Sequence, residues 1–132
     1  MLPQRERLVR ICDESPERLD SLPFGAIVID FEGQILAYND HESKLSHLAK
    51  RQVLGKNFFR AVAPCTAVGE FEGRMRTFLS EGGSVSETFE YFFPFIHGPA
   101  DVAITFVRRS DKRTILIVVE RLVRQISREM RS

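Results

Sequence analysis

The sequence predicts an α+β domain: one antiparallel sheet of about five strands, short helices on one face, and helical extensions at both ends. Two β-rich segments near the start and three near the end flank a stretch of short helical segments. Glycine or proline punctuates most junctions, and no strand is followed by the long crossover helix that a parallel sheet needs. The 132 residues suffice for one core, and 43% hydrophobic with 28% charged residues is a globular balance.

Residues 1–20 set Leu8, Ile11 and Cys12 at helical spacing among charges, and Pro16 opens a second short turn. Phe24 to Asp30 is apolar and β-branched, Asp30-Phe31-Glu32-Gly33 is a turn, and Gln34 to Tyr38 returns as the second strand of a hairpin. Asn39 is placed to cap a short helix through about Ser46. Gly55-Lys56-Asn57 stops one turn and caps another, Phe58 to Ala63, which Pro64 ends, so Cys65 lies just past a helix end. Phe71, Met75, Phe78 and Leu79 share a helix face that Gly82-Gly83 terminates. Thr88 to Ile96, Asp101 to Arg109 and Thr114 to Arg121 are strands separated by His97-Gly98-Pro99 and Ser110-Asp111-Lys112. Leu122, Ile126 and Met130 continue as a C-terminal helix, with Val119 and Val123 beside them. The expected partition is a lead segment 1–20, a domain 21–122 and a tail 123–132.

Several function classes are disfavoured. Two cysteines, Cys12 and Cys65, exclude a disulfide scaffold and any multi-cysteine metal cluster built by this chain alone. His41, His47 and His97 have no metal-ligand spacing. A net charge of +1 provides no general attraction to nucleic acid or an anionic membrane, although Arg108 onward carries eight basic against three acidic residues. No apolar run approaches the roughly 18–20 residues of a membrane span, and the N-terminus MLPQRERLVR lacks a signal-peptide core, so the expectation is a cytoplasmic protein with reduced thiols. No phosphate-binding glycine loop or nucleophile–base pair marks an enzyme. The eleven Phe, with no Trp, concentrate aromatic mass without a polar handle, suited to a dry interior or pocket wall.

The strand order and the Asp30-Phe31-Glu32-Gly33 hairpin resemble a PAS domain. Four segments resemble the photoactive yellow protein family in particular: Leu22-Pro23-Phe24-Gly25-Ala26-Ile27; Ile35-Leu36-Ala37-Tyr38-Asn39 followed by Glu42; Gly55-Lys56-Asn57-Phe58-Phe59 running to Ala63-Pro64-Cys65-Thr66; and Phe89-Glu90-Tyr91. The similarity covers about residues 20–122. It implies a PAS fold and a blue-light photoreceptor: p-coumaric acid (4-hydroxycinnamic acid) held as a thioester on Cys65, with light-driven trans–cis isomerisation. It further implies that Tyr38 and Glu42 bond the phenolate oxygen, that Ser46 supports Tyr38, and that Phe58, Phe59, Tyr91, Phe93 and His97 are candidate pocket residues. A buried phenolate needs donors, and Glu42 donates only while protonated, which burial favours. After isomerisation Glu42 would give up its proton, and the buried carboxylate left behind would drive a conformational change.

Each residue also has a plain reading. Cys65 suits a loop thiol or a small core hydrophobe, and Glu42 sits where a capping box would use it. Tyr38 suits a tyrosine bonded to backbone, and Ser46 a helix-end hydroxyl. Two departures from the family stand out: Leu48 lies where an arginine lid is expected, and His97 where a methionine assists recovery. The competing function is a PAS interaction or dimerisation module with an empty or noncovalently filled pocket. The expected partners are the small-molecule chromophore and an unidentified downstream signalling protein, with a homodimer through the terminal helices as a candidate and no nucleic acid or membrane.

Overall fold

The computed structural model describes residues 13–81, 85–93, 100–111 and 113–122. The expected N-terminal helix around Leu8, the Gly82-Gly83 stop, His97, and the C-terminal stripe from Ile126 to Met130 lie outside the described residues. Five antiparallel strands form one sheet: β1 Gly25–Asp30, β2 Ile35–Tyr38, β3 Ser86–Phe93, β4 Ala100–Arg108 and β5 Thr114–Arg121. Their spatial order is β2-β1-β5-β4-β3, so the hairpin from the start of the domain docks on the last strand. Gly25 at the start of β1 pairs with Val119 near the end of β5.

Alternation sorts the strand residues between two faces. Ile27, Ile29, Ile104, Phe106, Ile115, Ile117 and Val119 point into the main cluster, with Tyr38, Phe58, Phe59, Phe71, Met75, Phe78, Phe89 and Phe93. Ala26, Val28, Ala37, Val107, Leu116 and Val118 form the second cluster on the far face, with Leu19 and Phe24. Strands β4 and β5 are thus buried on both sides, which is why they read as unbroken apolar runs in the sequence. Within β2, Leu36 is the extra residue of a bulge between Ile35 and Ala37, and it stands 48% exposed.

Short α-helices are α1 Pro16–Leu19, α2 Asp40–Ser46, α3 Lys50–Val53 and α4 Arg74–Glu81. Leu19 of α1 packs in the far-face cluster. The sequence predicts an ordinary helical turn for Phe58 to Ala63, whereas Phe58–Val62 winds as a π-turn, followed by a tight turn Pro64–Thr66 and a second π-turn Gly69–Gly73. The physical reason is local. Asn57 takes the Phe59 and Arg60 amides on its side chain (2.9 and 3.0 Å), and the Ala63 amide closes on the Phe58 carbonyl five residues back at 2.8 Å. Pro64 has no amide with which to continue the ladder. No helix among the described residues is long and apolar enough to cross a membrane.

Candidate functional site

Asn39 organises one end of the site. Its side-chain oxygen accepts the amides of Ala26 (2.9 Å) and Glu42 (3.0 Å), and its side-chain nitrogen donates to the carbonyls of Leu19 (2.8 Å) and Phe24 (2.9 Å). One buried residue therefore caps α2 and ties it to both α1 and β1. The Asn39 amide, which a capping box would leave for Glu42, is already bonded to the Ala26 carbonyl at 3.0 Å. The Glu42 side chain is thereby released from capping and turns inward.

Glu42 is 4% exposed, and its Oε1 finds no hydrogen-bond partner among the described residues. Burial without compensation penalises the carboxylate and pushes its pKa up to about 8. Tyr38, at the end of β2, is buried beside it and donates its hydroxyl to Ser46 Oγ at 2.7 Å. Desolvation, and secondarily the nearby Glu42 charge, hold the Tyr38 phenol well above its usual value, while the Ser46 bond acts in the opposite direction. Ser46 Oγ also accepts the Leu48 amide at 3.3 Å, and Ser43 Oγ donates to the Leu48 carbonyl. His47, in the left-handed region at φ 63°, turns the chain between them and ends α2. Leu48 is thus fixed at both backbone groups and packs against the main cluster.

Cys65 forms the other end. It sits exposed in the Pro64–Thr66 turn between the two π-turns, not simply past a helix end. Its carbonyl accepts the Tyr91 hydroxyl at 2.6 Å, and buried Thr66 bonds the Ala63 carbonyl through both its amide (2.9 Å) and its hydroxyl (2.6 Å). Neighbouring protein partly screens the sulfur from water and raises the thiol pKa. Tyr91 is raised too, by desolvation first and then by the Cys65 and Glu70 charges.

One aromatic hub in the main cluster is shared by Tyr38 and Tyr91. The Phe71 ring, fully buried, meets Tyr91 at 5.1 Å, Phe89 at 5.5 Å, Phe106 at 5.7 Å, Phe58 at 5.8 Å, Phe93 at 6.1 Å and Phe59 at 6.2 Å. Tyr38, Phe58, Phe59 and Phe93 belong to the same apolar cluster, and Tyr91, Leu48, Ala63 and Ala67 pack on it. The structure therefore brings Tyr38, Glu42 and Ser46 together, and separately Cys65 with Tyr91, around one apolar cluster. Of the sequence-derived candidates only His97 falls outside the described residues. Asn39 was legible as a cap but not as the hub of four bonds. Gly25 is legible in the sequence only as a glycine at the start of an apolar strand, the signal of a close approach by another group.

An uncompensated buried carboxyl beside a buried phenol offers two hydrogen-bond donors to an anion, and an exposed thiol is open to covalent modification. Three comparisons bear on the family. The family model for the PAS fold matches residues 19–126. The photoactive yellow proteins of Rhodothalassium salexigens and Halochromatium salexigens are 38% and 35% identical over 112 residues, which is 85% of this chain and 89% of each relative. The crystal structure of the photoactive yellow protein domain from the sensor histidine kinase Ppr of Rhodospirillum centenum superposes with a TM-score of 0.76 at 32% identity, covering 86% of this chain and 97% of that one. With a five-stranded PAS sheet and relatives at this identity over most of its length, the chain belongs to the photoactive yellow protein family of PAS domains.

Proposed function

We propose that this chain is a blue-light photoreceptor in which Cys65 carries p-coumaric acid as a thioester, Tyr38 and Glu42 bind its phenolic end, and Glu42 is the internal proton donor. When bound, the group supplies a double bond that blue light isomerises from trans to cis, and a phenolate oxygen. The observation that carries this reading is the Glu42 carboxyl, buried and without a partner at Oε1 among the described residues, where desolvation favours the protonated form.

The chain's own residues divide the work. Glu42 keeps its proton because burial disfavours the carboxylate. Tyr38 can turn its hydroxyl hydrogen away from Ser46 toward an anionic partner, while the Ser46 hydroxyl, which already accepts from Leu48, donates to Tyr38 in return. Phe58, Phe59, Tyr91 and Phe93 keep water out from the side of the aromatic cluster, and Leu48 closes it with apolar bulk. Once Glu42 Oε has given up its proton, a carboxylate remains against Gly25 and the apolar sheet face, a state that strains the docking of α2 on β1. That strain is the conformational signal, read by a downstream protein. The role is that of a cytoplasmic sensor without catalytic turnover.

The test is incubation of the purified chain with an activated thioester of p-coumaric acid, followed by intact mass and absorption spectra. The expected outcome is a single covalent adduct with visible absorbance, abolished by Cys65→Ser. A colourless protein of unchanged mass rejects the proposal.

A further inference from the structure

Glu42 reaches its position across the start of β1, and the residue beneath it is Gly25. A methyl group built on Gly25 would overlap the Glu42 Oε1 outright, and would stand 3.2 Å from both the Cβ and the carbonyl oxygen of Val119 on β5. The backbone at Gly25 does not require glycine, since it is regular strand and is not among the positive-φ glycines. The glycine is therefore used for space rather than for conformation.

We propose that Gly25 is a positioning residue for Glu42: its missing side chain is the slot, floored by β1 and β5, in which the Glu42 carboxyl lies. The inference rests on the proton-donor reading of Glu42 and extends it to the residue that sets the donor's depth. Strands β1 and β5 present Gly25 and Val119, β2 presents Tyr38 as the titratable neighbour, and within α2 Asp40 is engaged by Lys50. A side chain at position 25 lifts the carboxyl out of the slot toward the Tyr38 hydroxyl and solvent. Both destinations favour the ionised form, because desolvation is what disfavours it in place. The clash falls on the flexible end of Glu42, whereas the Val119 contacts ask for shifts of a few tenths of an ångström, so Gly25→Ala is expected to fold.

The test is a 13C NMR titration of carboxyl-labelled glutamate in the full chain without added chromophore, with Glu42 assigned by Glu42→Gln. In the unsubstituted chain Glu42 is expected to titrate near 8. In Gly25→Ala its midpoint is expected to fall by one pH unit or more, a tenfold change in proton affinity, a readout that a merely structural glycine would not move. An unchanged midpoint in folded Gly25→Ala overturns the inference and leaves the proton-donor reading standing. An ordinary carboxylate midpoint in the unsubstituted chain overturns both. Should Gly25→Ala fail to fold, Gly25→Ala combined with Glu42→Ala decides: recovery of the fold shows that the carboxyl owns the space, and continued failure shows that the backbone does.

Discussion

Burial, which pushes the Glu42 pKa up from the ordinary 4.5 to about 8, couples its protonation to stability. Between those values the native state binds more protons than the unfolded one. Stability from Glu42 is therefore fully present below about pH 4.5 and is lost as pH rises to about 8, with a slope of at most about 1.4 kcal/mol per unit. Urea unfolding of the chain without chromophore, compared with Glu42→Gln over that range, should show the slope in the former and its loss in the latter; parallel curves would refute it. Cys65 offers a second check. Its raised pKa keeps the thiol protonated at neutral pH, so acylation by the activated thioester should accelerate from pH 7 to pH 9, and a rate flat in pH would contradict that. At this scale the sequence was informative about residue types and ambiguous about orientation. The spacing of Asn39 and Glu42 fits a capping box, and only the Ala26 carbonyl, brought in from β1, removes the need for one.

Among the elements, α2 and the Phe58–Gly73 segment hold the site, and each depends on one side chain. Asn39→Ala would orphan buried groups on Leu19, Phe24 and Ala26 and uncap α2. At about 1–3 kcal/mol for each unsatisfied buried group, a loss of at least about 2 kcal/mol is expected in denaturant unfolding. Phe71→Ala removes the ring that six others pack around, and a cost of about 3–5 kcal/mol is expected by the same measurement. Both elements were legible as helical, because the Asn39 and Asn57 caps and the Phe71, Met75, Phe78 spacing depend on local rules. The π-winding was not, since an apolar pattern over five residues fits several helical pitches and the choice is made by Asn57 and Pro64 together.

For the molecule as a whole, stability should be graded from the centre of the sheet outward. Strand β5 is flanked by β1 and β4 and buried on both faces, whereas β2 and β3 are edges. Native-state hydrogen exchange should find the slowest amides at Ile115–Val119 and faster exchange along β2; comparable rates in both would refute this gradient. The strands themselves were readable from apolar runs and turn residues, but their neighbour order was not, because hydrophobic pattern reports which face is buried and not which strand lies alongside. Pairing of β1 with β5 has a further consequence. Gly25 and Val119 are opposite one another, so the chain begins the sheet and finishes it at the same place, with backbones about 5 Å apart. Fraying of the first strand or of the last would therefore unzip the same corner of the sheet, the corner over which the Glu42 carboxyl lies.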